Sequence, residues 1–121
     1  MKKRILLIDD ELPIRELLTL GLQRYGYDIS GVASGAEGKR NALERTPDLI
    51  ISDLQLEDTD GLSLIGELKA IAPNVPVILL TGVLFDPETV RELLDRNMAI
   101  YIQKTGKLQD ILDEVVRICP P

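Results

Sequence analysis

Five short runs rich in apolar residues recur along the 121 residues, and a stretch with helical spacing of its apolar positions follows each one. The runs cover residues 4–9, 28–33, 48–53, 75–80 and 99–103. After the first, Ile14, Leu17, Leu18, Leu22 and Tyr25 recur at helical spacing, with Pro13 suited to a first turn and Gly26 to a stop. Residues 36–45 predict a weaker helix, loosened by Gly38. Leu62, Ile65, Leu68 and Ile71 predict a helix that ends before Pro73. Asp86-Pro87-Glu88 is a helix start, with Val90, Leu93 and Leu94 as its apolar stripe. Leu108, Ile111, Leu112, Val115 and Val116 predict a closing amphipathic helix. Strands buried on both faces read as near-continuous apolar runs, and parallel neighbours need crossovers of helix length. The alternation therefore predicts an α/β fold: one domain over residues 1–121, a doubly wound sheet of five parallel strands, and five helices. The run at 28–33 is the least apolar and is placed nearer an edge.

Composition narrows the chemistry. Asp and Glu number 20 against 14 Lys and Arg, a net charge of −6, so direct nucleic-acid binding is not expected. Aromatics are 3%, too few for base-stacking platforms. The chain has no His, which removes His general bases and His metal ligands. Its single cysteine, Cys119, excludes an internal disulfide. Nothing approaches the ~18 apolar residues of a membrane span. Met1–Arg4 is basic, but only Ile5–Ile8 separates it from the first acids, too short for a signal sequence. A cytoplasmic domain without membrane contact is the expectation.

In open α/β sheets the chemistry gathers at the carboxyl ends of the strands. Here the first strand ends in Asp9-Asp10, followed by Glu11; the third ends in Asp53, the fourth in Thr81-Gly82 and the fifth in Lys104. An Asp after a strand is ordinarily a turn former or a helix cap. Acids at the ends of two strands exceed what turns need, and their repulsion calls for a hard divalent cation such as Mg²⁺. A hydroxyl and an ammonium beside such a pocket suit a phosphoryl group carried on an aspartate. Dinucleotide binding fits worse. The loop after the first strand reads Asp9-Asp10-Glu11-Leu12-Pro13 instead of a glycine-rich phosphate cradle, and no P-loop is present.

Taken in order, Ile5-Leu-Leu-Ile-Asp9-Asp10-Glu11, Asp48-Leu-Ile-Ile-Ser-Asp53, Asp60-Gly61, Leu79-Leu80-Thr81-Gly82 and Tyr101-Ile-Gln-Lys104 resemble the receiver domains of bacterial two-component response regulators. The resemblance covers the whole chain. It implies the flavodoxin-like strand order 2-1-3-4-5. It also implies that Asp53 accepts a phosphoryl group from a histidine kinase or phosphotransfer protein. Asp10, Asp53 and the Gln55 carbonyl would hold Mg²⁺, with Asp9 acting through water. Thr81 and Lys104 would hold the phosphoryl oxygens, and Thr81 with Tyr101 would form the switch. Such a domain is a phosphoacceptor rather than an enzyme with a separate substrate, catalysing its own phosphotransfer and autodephosphorylation. The output would pass to a partner, a fused effector or a phosphorylation-dependent dimer through the face of the fourth helix, fifth strand and fifth helix.

The chain departs from the family pattern in three loops. Lys104 is followed by Thr105 where proline is usual, Leu56-Glu57 stands where Met-Pro is usual, and Asn97-Met98 replaces Gly-Ala. A trans Lys104–Thr105 bond is expected, because cis costs about 2.5–4 kcal/mol before a non-proline residue. The apolar run Val83-Leu84-Phe85 marks a tucked staple or a partner contact.

Overall fold

The apolar runs form β1 (Arg4–Ile8), β2 (Asp28–Val32), β3 (Leu49–Asp53), β4 (Val77–Thr81) and β5 (Ala99–Gln103). All are parallel, and they lie in the order β2-β1-β3-β4-β5. The computed structural model describes residues 2–53, 55–81, 88, 99–103 and 107–121. Among these residues the helices are α1 (Leu12–Arg24), α2 (Gly35–Glu44), α3 (Gly61–Ile71) and α4 (Leu108–Ile118). The helix expected after Asp86 lies, but for Glu88, outside the described residues, as do Val83-Leu84-Phe85 and the Lys104–Thr105 bond.

Side chains alternate across the strands, so the sheet carries a core on each face. Ile5, Leu7, Leu49, Ile51, Ile78 and Leu80 pack with Leu18 and Leu22 of α1 and Ile111, Leu112 and Val115 of α4. Leu6, Ile8, Ile50, Val77 and Leu79 pack with Ala42 of α2 and Leu64, Ile65 and Leu68 of α3. β1 and β3 are buried throughout, while β2 is only partly covered, as its composition and edge position require.

Two expectations need correction. β4 begins at Val77, not at residue 75: Val75 lies in a turn and donates its N–H to the Ala72 carbonyl at 3.2 Å. Pro76 has no N–H to offer, although its carbonyl accepts from Ile50 at 3.1 Å. The buried stripe of α1 is also narrower than its apolar spacing suggests. Leu18 and Leu22 are buried, whereas Leu17 is 49% and Tyr25 39% exposed.

Gly38 weakens α2 on propensity alone, and packing supplies its reason. A Cβ there would stand 2.5 Å from Cδ1 and 3.0 Å from Cγ1 of the fully buried Ile8. Gly26 ends α1 with φ +93°, a left-handed conformation that favours glycine. At the opposite end of the sheet from the strand carboxyl termini, the buried Arg4 joins three segments. Its guanidinium donates to Asn41 Oδ1 at 2.6 Å, to the Arg45 carbonyl and to Ser30 Oγ. Its backbone N–H donates to Asp48 Oδ2 at 2.8 Å. No helix among the described residues is long and apolar enough to cross a membrane.

Candidate functional site

The register of β1 against β3 decides the site. Ile8 pairs with Ser52, so the next residues, Asp9 just past β1 and Asp53 as the last residue of β3, stand side by side. Both are buried, Asp9 fully and Asp53 with 4% exposure. Asp10 and Glu11 follow at the entry to α1. One carboxylate oxygen from each of Asp9, Asp10, Glu11 and Asp53 falls within a cluster whose members all lie within 4.8 Å of one another. Glu11 was not among the expected metal ligands. The unbroken acidic run Asp9-Asp10-Glu11 was its only sequence signal.

Backbone donors orient the two buried acids. Glu11 N–H donates to Asp9 Oδ1 at 2.9 Å, and Gln55 N–H donates to Asp53 Oδ1 at 3.1 Å. Arg15 Nη1 donates to the Asp9 carbonyl at 2.7 Å and places a guanidinium beside the acids. α1 starts directly after Glu11, so its positive dipole end also faces them. These are partial offsets to four mutually repelling carboxylates. An all-oxygen, multiply charged donor set fits a hard cation of the Mg²⁺ type and no soft metal.

Of the other expected residues, Thr81 closes β4, one step beyond Leu80, which pairs with Asp53. Thr81 is itself in register with Gln103. Tyr101 lies in β5 opposite Leu79. Lys104 lies outside the described residues.

The segment after Asp53 is tied down at several points. Gln55 forms an antiparallel bridge with Asp60. Asp60 caps α3, its Oδ1 accepting from Ser63 N–H at 2.9 Å and its Oδ2 from the Ser63 hydroxyl at 2.8 Å. Asp58 reaches across to α2, accepting from Gly35 N–H at 2.9 Å and Ala36 N–H at 3.1 Å. These two backbone donors hold the Asp58 carboxyl below its ordinary range. Sequence reasoning did not single out Asp58, because its partners are more than twenty residues away.

Comparisons with known proteins agree with this architecture. Residues 5–116 match the family model described as the response regulator receiver domain. The response regulator protein VraR of Staphylococcus aureus (strain Mu3) is 36% identical over 121 residues, covering 95% of this chain and 56% of that protein. The transcriptional regulatory protein GlrR of Escherichia coli (strain K12) is 41% identical over 78 residues, 64% of this chain and 18% of that protein. The chain thus spans about half, or less, of the length of these relatives. A CheY-like response regulator receiver domain protein from Methanospirillum hungatei superposes with a TM-score of 0.87 at 26% identity, covering 97% of this chain and 93% of that one. With the matched strand order, the paired acids at the ends of β1 and β3, and a family match running from residue 5 to residue 116, the chain belongs to the response regulator receiver domains, which accept phosphoryl groups on an aspartate.

Proposed function

We propose that residues 1–121 act as one receiver unit in the cytoplasm and that Asp53 is its phosphoacceptor. The observation that carries this is the convergence of Asp9, Asp10 and Glu11 on the buried Asp53 at the end of a central strand. An Asp53 carboxylate oxygen attacks the phosphorus of a kinase or phosphotransfer-protein phosphohistidine. A P–O bond forms, the P–N bond breaks, and the departing imidazole takes up a proton. The Gln55 N–H fixes the orientation of the carboxylate for that attack. Asp10, Asp53 and the Gln55 carbonyl would hold Mg²⁺, with Asp9 reaching it through water. When bound, Mg²⁺ neutralises charge on the acids and on the transferring phosphoryl group. Thr81 and Lys104 hold the phosphoryl oxygens, and Thr81 with Tyr101 passes the change to an output partner, a fused effector or a second copy of the chain. The same residues support the self-catalysed reaction and its hydrolytic reversal.

Acetyl phosphate treatment followed by intact-mass measurement tests the assignment. The wild-type chain should gain one phosphoryl group, and Asp53→Asn none. Modification that persists in Asp53→Asn, or that proceeds unchanged in excess chelator, would refute the reading.

A further inference from the structure

We propose that Asp58 is a positioning residue: by holding the segment 55–60 against the N-terminus of α2, it sets where the Gln55 carbonyl stands relative to Asp53. This rests on the reading of Asp53 and Gln55 as phosphoacceptor and metal ligand. Ser34 is the N-cap of α2 and accepts the Glu37 N–H at 3.2 Å, so the helix carries a cap of its own. Asp58 takes the two preceding donors, Gly35 and Ala36, from a different part of the chain. A carboxylate on two successive N–H groups at a positive helix end is a charge-assisted tether, stronger than a neutral one. The fit is close, since a Cβ on Gly35 would stand 2.5 Å from Thr59 Cγ2 and 3.4 Å from Asp58 Oδ1. Glycine at 35 therefore leaves room for the segment to seat. The other anchors are the Gln55 bond to Asp53, the Gln55–Asp60 bridge and the packing of Leu56 against the core between the sheet, α2 and α3. Asp58 adds the hydrogen-bonded restraint that ties the segment to α2.

Without the tether the segment populates other conformations, and apparent affinity falls with the fraction that remains competent. Mg²⁺ alone is the probe, followed by amide shifts of Asp10 and Gln55 in the full chain, with amide exchange of Gln55 as a metal-free readout. Asp58→Ala should weaken Mg²⁺ binding roughly three- to tenfold and speed Gln55 exchange by a similar factor. Asp58→Asn loses the charge but keeps an acceptor oxygen, and should recover at least half of the loss on a logarithmic scale. Ser34→Ala damages only the helix's own cap, so it should lower Tm while changing Mg²⁺ affinity less than twofold. If Asp58→Ala does not fold, Asp58→Glu keeps the charge and displaces the carboxylate by one methylene, and should still weaken Mg²⁺ binding at least twofold. Wild-type affinity and exchange in Asp58→Ala would overturn the proposal, as would equal losses in Asp58→Ala and Asp58→Asn, or in Asp58→Ala and Ser34→Ala. For the Glu variant, wild-type affinity would do the same. Failure of the wild-type chain to bind Mg²⁺ would overturn the metal reading, and the positioning role with it.

Discussion

Gly38 costs α2 about 1 kcal/mol of helix propensity relative to alanine. That cost is set against a contact with Ile8, whose Cδ1 occupies the place a Cβ would take. Ile8 is fully buried and cannot swing aside freely. Overpacking of this kind costs about 1–3 kcal/mol. Gly38→Ala is therefore expected to destabilise the chain by about 1 kcal/mol net, read from urea unfolding. Ile8→Val removes the offending methyl. Alone it should cost about 0.5–1.5 kcal/mol, whereas in the Gly38→Ala background it should cost nothing or stabilise. Additive losses in the double variant would place the strain elsewhere.

At the scale of elements, α4 is docked by a side chain from β2's edge of the sheet. Tyr27 is buried, and its hydroxyl donates to the carbonyl of Cys119, which caps α4. Burial, with smaller contributions from Cys119 and Tyr25, pushes the Tyr27 hydroxyl from 10.0 up to about 12. The raised value means that the folded chain holds the proton after the unfolded chain has lost it. Stability from this group is thus complete below pH 10 and lost between pH 10 and about 12, by roughly 2–3 kcal/mol. Burial pushes the Cys119 thiol up as well. Tyr27→Phe should cost about 1 kcal/mol at neutral pH, since it leaves the carbonyl without its donor. It should also flatten the alkaline part of the stability curve. An unchanged slope between pH 10 and 12 would assign that loss to other groups.

For the whole molecule, the acid cluster is a standing cost to the fold. Two carboxylates within 4.8 Å repel by about 3 kcal/mol at an effective dielectric near 20, less where water screens them. Helix α1's dipole and Arg15 offset part of this. Asp10→Asn should therefore raise Tm by about 3–6 °C without Mg²⁺, the equivalent of about 1 kcal/mol. Mg²⁺ stabilises only the state that binds it, so the wild type should gain Tm with added Mg²⁺ and the Asn variant should gain much less. Melting curves with and without Mg²⁺ check both. A variant no more stable than wild type in chelator would show that the acids are already neutralised within the fold.

The parallel sheet, its strand boundaries to within a residue or two, the edge place of β2 and the acids at the strand ends were all legible in the residues themselves. Each is written in local patterns: apolar runs, helical spacing, and acids where the apolar runs end. The strand order came from the resemblance and not from periodicity. What the residues alone did not show were the roles of Gly38, Tyr27, Arg4 and Asp58. Gly38 read as a defect until Ile8 stood against it. Asp58 has no signal of its own in the sequence, and its role exists only once α2 lies across from it. Each role depends on a partner 22 or more residues away in the chain. Chemistry at the strand ends is local and readable, but a contact made by chain return exists only once the β-α crossovers have set register and layer. That is why the acids could be named from the sequence, while their closeness, with Glu11 among them, was decided by pairing Ile8 with Ser52.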